Sequence, residues 1–496
     1  MNRLSIKHIG VYILVAVVGS GAAMVQARHA WSQPIPESFA DLAEKLTPAV
    51  VSITTEEFVS SQGVPGFPEI PEGSPFEEFF KEFFERYGNG EDEGMPERRA
   101  RSLGSGFIVD AAGYVVTNNH VIEEADAIHV LLDDGTEYEA TVVGIDPKTD
   151  IALLKVEVEG DLPFVTFGDS DIVRVGEWVL AIGNPFGFGN SVTAGIISAR
   201  QRNISSGPYD EFLQTDAPIN RGNSGGPLFN MDGEVIGVNT AIYSPSGGSV
   251  GIGFAVPSNL VERVVAQLQE YGRTRRGWLG VRIQSVTPEI AEGLGLDQAR
   301  GALVASVTPG GPAAEAGLEN GDVIVLFDGK PIDDMRELPR AVADTEVGKA
   351  VDVVIIRRGE ELVVAVELGE LEAFEDQLAG SLDGEQPPEP PADDAEPTDV
   401  LGMALQEVTP QLSERYGLPA ESVGLVVTAV APGSPAARAE ILEGDLILEV
   451  GQVEVASIGD VVDQVDGAKE RASKAVVMRV VRNGEDPHYM AVELED

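Results

Sequence analysis

The stretch Gly222-Asn223-Ser224-Gly225-Gly226-Pro227 sets a serine among glycines directly ahead of the apolar run LFNMDGEVIGVNT. Glycines there let the backbone turn tightly and approach a substrate carbonyl, and the amides of Gly222, Asn223 and Ser224 could converge on a developing oxyanion. A serine hydroxyl needs a neighbouring base to accept its proton. Of the chain's five histidines, His29, His120, His129 and His488 lie after residue 27, where a secretory leader would end. His120 stands where the run YVVT stops against Asn118-Asn119, a strand end able to present an imidazole to a cleft. His129 alternates with apolar neighbours in IHVLL and reads as a strand position, and His488 is far away in the last part of the chain. The base in turn needs a carboxylate to fix its tautomer. Asp150 ends the turn DPKTD immediately before IALLKV and meets that need, with Asp146 and Asp169 as the other candidates.

Positioning three such residues from distant points of the chain requires a rigid β scaffold. From Ser105 to Pro257 short β-rich runs alternate with turn signals, among them Asp-Gly pairs at 134–135 and 232–233, which predicts an all-β pair of barrels or sandwiches. The order His, Asp, Ser, with 30 and 74 residues between successive members, suits two packed barrels. A short amphipathic lead-in and the strand VVSIT precede this unit, residues 56–101 read as a long surface loop with one short helix, and a helix over 258–272 leaves the unit.

The C-terminal half repeats itself. GALVASVTPGGPAAEAGLENGDVIV from Gly301 matches GLVVTAVAPGSPAARAEILEGDLIL from Gly424 at 12 of 25 positions, and the segments upstream from Leu279 and Leu401 also correspond. Two copies of one domain are the simplest explanation. Residues 370–399, rich in Glu, Asp, Pro and Gly, read as a solvated linker that holds no fixed inter-domain angle.

Composition excludes several functions. The 496-residue chain has no cysteine, so disulfides, thiol nucleophiles and thiolate metal sites are ruled out. With 82 acidic against 34 basic side chains and a net charge of −48, its field repels nucleic acid and anionic lipid. No metal-binding HExxH or phosphate-cradling motif occurs, so no cofactor is expected. At the N-terminus, Arg3 and Lys7 precede an apolar run from Ile9 to Val18, and small residues lead to Val25-Gln26-Ala27, the order of a secretory signal cleaved after residue 27; an uncleaved membrane anchor is the rival reading.

TNNHV, DPKTDIALLKV, GNPFG, QTDAPINRGNSGGPL and VGIGFAVPSN resemble the signature segments of the HtrA (protease Do) serine peptidases, and the two repeats resemble PDZ domains. The resemblance covers nearly all of the chain after the signal. It implies a chymotrypsin-like double β-barrel protease domain (28–272) followed by PDZ domains at 273–369 and 400–496. It also implies His120 as general base, Asp150 as its orienter, Ser224 as nucleophile and the Gly222–Ser224 amides as oxyanion hole. The primary pocket would be formed by Ile219, Ile242 and Ile252, accepting Val, Ala or Ile and rejecting Lys, Arg and large rings.

Trp278-Leu279-Gly280-Val281 and Leu401-Gly402-Met403 resemble the PDZ loop whose amides receive a peptide's C-terminal carboxylate. The second copy departs from the first, with Glu440-Ile441 in place of Gly317-Leu318, so peptide capture is expected chiefly of the first. The resemblance further implies that the loop 200–212, with Arg202, carries a signal from an occupied first PDZ domain to the catalytic loops, that residues 56–101 can obstruct the site in resting oligomers, and that the protein forms trimers or trimer-based assemblies in the periplasm. Its partners would be unfolded protein or peptide substrates. A chaperone or peptide-binding scaffold with little protease activity is the alternative.

Overall fold

The computed structural model describes residues 36–60 and 97–494 except 124, 185–188, 205, 208, 221, 246–247, 380–397, 419–421, 472 and 485. The expected signal over 1–27, the middle of the 56–101 loop and the middle of the 370–399 linker lie outside the described residues.

A short helix α1 (Ala40–Leu46) leads into six strands, β1 (Val50–Ser60), β2 (Glu97–Asp110), β3 (Tyr114–Thr117), β4 (Ala127–Leu131), β5 (Glu137–Asp146) and β6 (Ile151–Val156), with the one-turn helix α2 (Asn119–Ile122) after β3. They close into a barrel in the order β1-β2-β3-β6-β5-β4. A second barrel, ordered β10-β11-β12-β9-β8-β7, uses β7 (Trp178–Gly183), β8 (Ser191–Arg202), β9 (Phe212–Thr215), β10 (Pro227–Phe229), β11 (Val235–Ile242) and β12 (Gly253–Pro257). The expectation of barrels or sandwiches thus resolves to two barrels. Closure removes sheet edges, and period-2 burial such as Ile128 and Val130 inward with His129 outward fills each interior. Both ends of the predicted 56–101 loop belong instead to strands, since β1 and β2 pair out to Ser60 and Glu97.

The helix α3 (Ser258–Tyr271) ends at Gly272, whose φ of 71° supplies the left-handed C-cap. It lays Val261, Val264 and Leu268 on the cluster between the barrels, with Phe107, Leu153, Leu180, Phe229 and Phe254. Burying that cluster fixes the cleft in which residues from both barrels meet.

The first repeat comprises β13 (Gly277–Trp278), β14 (Val281–Ser285), α4 (Pro288–Leu294), β15 (Ala302–Val307), α5 (Pro312–Ala316), β16 (Val323–Phe327), β17 (Lys330–Pro331), α6 (Glu337–Ala343), β18 (Ala350–Arg357), β19 (Glu360–Glu367) and β20 (Gly369–Glu370). Its main sheet runs β14-β15-β16-β18-β19. A further helix, α7 (Leu371–Ala379), follows. The second repeat has β21 (Thr398–Val400), β22 (Met403–Glu407), α8 (Pro410–Tyr416), β23 (Leu425–Val430), α9 (Pro435–Arg438), β24 (Leu446–Val450), β25 (Val453–Glu454), α10 (Ile458–Glu470), β26 (Ala475–Val481) and β27 (His488–Glu493). Each repeat buries the aspartate of its Gly-Asp pair under a two-pronged arginine, Asp322 under Arg357 and Asp445 under Arg482.

Two expectations about the linker are corrected. Residues 371–379 are helical, because Leu371, Phe374 and Leu378 recur at helical spacing within an acidic composition that reads as linker. Phe374 stacks on Trp278 with ring centroids 4.0 Å apart, and Glu372 and Asp376 pair with Arg276 and Arg273. The two repeats also pack directly on one another. Leu303, Val323 and Val325 form a second apolar face on the first sheet, and Val477 and Tyr489 of the second repeat join that cluster. Around it Tyr489 donates to Glu449 (2.8 Å), Arg479 pairs with Glu449 (2.7 Å) and donates to the Ala305 carbonyl (3.0 Å), so the buried polar groups are matched. Burial pushes the Tyr489 hydroxyl pKa well up, keeping it a neutral donor.

Candidate active site

His120 is placed by the end of β3. Its first-barrel strand stops at Thr117, Asn118 takes the extended conformation that starts α2, and the imidazole emerges with its side chain about half exposed. Asp150 sits across from it at the head of β6. Its backbone φ of 58° is uncommon for a residue with a side chain, though Asp tolerates it, and such conformations gather at functional sites.

The carboxylate of Asp150 is fully committed. Oδ2 lies 2.7 Å from His120 Nδ1 and accepts the Thr240 hydroxyl at 3.1 Å, while Oδ1 accepts the His120 backbone N–H at 2.9 Å. Asn118 Nδ2 donates to the Thr240 Oγ1 (2.5 Å) and to the Asp150 carbonyl (2.7 Å). Because Thr240 accepts from Asn118, its own proton is free to point at Asp150. The other candidate carboxylates are engaged elsewhere: Asp146 is 1% exposed beneath Arg276 and Thr149, and Asp169 accepts from Asn259. His129 faces Glu137 at 3.6 Å on the barrel surface, and His488 lies in β27.

Ser224 enters from the second barrel. The residue that anchors its loop is Ser105, fully buried in β2 and missed by sequence reasoning. Ser105 N–H donates to the Ser224 carbonyl (2.9 Å), its Oγ donates to the Gly222 carbonyl (2.5 Å) and accepts the Asn184 N–H (2.8 Å), and its carbonyl accepts the Thr117 hydroxyl (2.7 Å). A Cβ on Gly225 would collide with the Ser105 carbonyl and Thr117 Oγ1, and Gly225 has a φ of 81°, so only glycine lets the serine loop lie against the strand that carries His120. The Gly225 N–H donates to Asn239, the neighbour of Thr240. One continuous network therefore joins the loops of Ser224, His120 and Asp150. Ser224 Oγ has no hydrogen bond to His120 among the described residues, a leg that is commonly long in unliganded enzymes.

The expected oxyanion donors need a correction. The Asn223 N–H is spent on the Asn220 carbonyl (3.0 Å), so it is not available to a substrate. Ser105 and Asn220 hold the 222–223 peptide from its two ends, which leaves the Gly222 and Ser224 amides as the candidate pair. The three isoleucines lie close together in the second barrel: β11 ends at Ile242, the next residue, Tyr243, donates its N–H to the Ile252 carbonyl (3.0 Å), and Ile219 lies against Gly253. Ile219 is 2% exposed in the second-barrel core, Ile242 packs on the same cluster, and Ile252 packs on the cluster between the barrels.

The carboxylate-loop residues of the first repeat are held by Gly280, with φ 81°, and by Trp278 under Phe374. Leu279 is buried, and among the described residues the edge of β14 away from β15 carries no partner strand. Arg202, on the surface, donates to Gln214 of its own barrel (3.0 Å). Contact with that repeat from the 200–212 loop is made by Glu211, 3.2 Å from Arg340 on α6, and by Tyr209, whose ring lies 4.9 Å from the Arg276 guanidinium. Burial raises the Tyr209 pKa to about 12. Thr240 and Ser105 left only weak sequence signals, a polar residue near the end of an apolar strand and a serine between glycines.

Comparison with known proteins agrees with this architecture. The trypsin-like peptidase domain family matches residues 104–238, and PDZ domain families match 277–368 and 426–480. A probable periplasmic serine endoprotease, DegP-like, of Brucella suis is 40% identical over 97% of this chain and 94% of its own length. A protein of the same description from Marinomonas sp. is 42% identical over 98% of both chains. Among solved structures, an HtrA-type protease, AlgW, with a decapeptide is 43% identical, with a TM-score of 0.56, covering 67% of this chain and 98% of that one.

Proposed function

Since the chain belongs to the DegP-like serine endoproteases of the HtrA type, we propose that it degrades unfolded proteins in the periplasm through His120, Asp150 and Ser224. The observation that carries the assignment is the 2.7 Å contact between His120 Nδ1 and Asp150, backed by Thr240, in a network that continues to the Ser224 loop. Asp150 holds the proton on Nδ1, which leaves Nε2 as the acceptor for the serine proton. Ser224 Oγ attacks the peptide carbonyl as His120 takes its proton, and the Gly222 and Ser224 amides receive the oxyanion. His120 returns the proton to the leaving amine, and water attacks the acyl-enzyme by the reverse sequence. The activity is that of a serine endopeptidase, as in the relatives, and the scaffold-only alternative is not favoured.

Export by the segment ending at residue 27 is proposed with the periplasmic location, which the relatives' description supports. The first PDZ domain is proposed to take apolar C-terminal peptides along the free edge of β14, and assembly as trimers is proposed for the protease domains. Ile219, Ile242 and Ile252 are proposed to set an apolar primary pocket, with branched side chains filling its depth. The test is to digest casein, which is unfolded and lacks disulfide cross-links, with the protein lacking residues 1–27 and map the termini by mass spectrometry. Cuts following Val, Ala and Ile are expected; cuts concentrated after Lys, Arg or Phe would overturn the pocket assignment.

Ser105 gives a second test. Replacing it with Ala releases the Gly222 carbonyl and loosens the 222–223 peptide, so kcat is expected to fall by about 10²-fold, the scale of losing one oxyanion donor. KM should change little, because the substrate side chains bind elsewhere. A peptide boronate, which mimics the tetrahedral state, should lose affinity in parallel with kcat. Equal losses in kcat and in binding of an uncleavable ground-state peptide would instead indicate a general structural defect.

A further inference from the structure

The two repeats differ at the edge where a peptide would add. In the first, residues 277–278 turn away from β14 and pair with β20, so the edge of β14 has no strand on it among the described residues. In the second, the corresponding lead-in doubles back: β21 pairs antiparallel with β22, Thr398 opposite Leu405, Asp399 opposite Ala404 and Val400 opposite Met403. The strand lies on the side of β22 away from β23 and touches α10, the helix equivalent to α6. Val400 is 9% exposed and shares the domain's core cluster with Met403, Val461 and Val465. That is the position and hydrogen-bonding mode of an added peptide strand with an apolar side chain in the groove.

We propose that the second PDZ groove is occupied by this chain's own residues 398–400, so that only the first PDZ domain is open to external peptides. The turn that folds the segment back is Leu401-Gly402, with φ of 54° and 81°, the signs of a two-residue hairpin turn. It uses the same loop that would receive a carboxylate. A bulky leucine in the left-handed region is strained, and a three-residue strand offers few hydrogen bonds. The segment is therefore a latch rather than a permanent strand, closed by the Val400 side chain. The expected difference in peptide stoichiometry rests on the reading of the first PDZ domain as a peptide site.

Because the chain has no cysteine, the latch can be read directly. Asp399→Cys with Ala404→Cys places thiols on facing residues, whose Cα separation of about 4.5–5.5 Å in such pairs suits a disulfide. In the full chain carrying Ser224→Ala, the pair is expected to oxidise quantitatively. A ten-residue peptide with three apolar C-terminal residues should bind one equivalent per chain, by calorimetry, with or without the disulfide. Val400→Asp, or the milder Val400→Ser, should add a second equivalent and speed hydrogen exchange across 403–407. Two equivalents in the unlatched and native chains alike, or no disulfide, would overturn the proposal. So would faster exchange in the Val400 variants without a second equivalent, provided the native chain binds one. If no chain binds peptide while the disulfide forms, the capture reading for the first domain falls and the latch stands.

Discussion

Ser224→Ala is expected to abolish casein cleavage, with kcat falling by roughly 10⁶-fold, the scale seen when a serine nucleophile is removed from such a triad. The loss should be chemical and not structural. The contacts that hold the loop are made by backbone atoms, the Ser224 carbonyl with Ser105 and the Gly225 N–H with Asn239, and by Ser105 Oγ on Gly222. None of them uses the Ser224 hydroxyl. The variant should therefore keep the thermal unfolding midpoint of the parent within a few degrees and still bind unfolded casein through its clefts. Undiminished cleavage would point to a contaminating protease or another nucleophile. Retained binding without cleavage by the parent chain as well would favour the scaffold alternative.

The parts of this site that were legible in the sequence share a local cause. His120, Asp150 and Ser224 each stand where a regular strand meets polar or glycine-rich turns, and the glycines around Ser224 report a backbone that must come close to something. The β unit was legible through short β-rich runs set between turn signals, and the repeats through identities such as the Gly-Asp pairs, whose aspartates turn out to be buried under Arg357 and Arg482. What was not legible depends on long-range contact. Ser105 acts on partners 79 and 117 residues away, and the glycines on either side of it mark that role only weakly. Asn223 looked like a third oxyanion donor until the fold turned its N–H onto Asn220. The helix over 371–379 was hidden by acidic composition, and its purpose is visible only in the arginines and the Trp278 ring it meets.

The same logic explains why the inter-domain contacts were missed. Strands such as VIVLF at 323–327 are apolar on both faces, and a sequence alone does not tell which neighbour covers the second face. Here Val477 and Tyr489 of the other repeat contribute to that cover. On the opposite side, Glu211 and Tyr209 of the 200–212 loop meet Arg340 and Arg276, while Asp146, at the head of the turn that ends in Asp150, is held by Arg276. The position singled out in the sequence, Arg202, is close in the chain to these contacts but is not one of them.

Asp150→Asn is expected to lower kcat by about 10⁴-fold while leaving KM and the fold nearly unchanged. The carboxylate position Oδ1 faces the backbone N–H of His120, which can only donate. An amide introduced here must put its oxygen at that point, so its NH2 falls where Oδ2 stood, against His120 Nδ1. Thr240 accommodates the change because a hydroxyl can accept from that NH2. The imidazole must then accept at Nδ1 and carry its proton on Nε2, the tautomer that cannot take the serine proton. Asn also tolerates the left-handed φ of 58° as well as Asp does, so no backbone rearrangement blurs the comparison. An Asp150→Asn enzyme within tenfold of the parent would show that the carboxylate is not what orients the base. A fall in kcat with an unchanged unfolding midpoint, and with the imidazole proton assigned to Nε2 by ¹⁵N resonance, would place the whole effect in the tautomer.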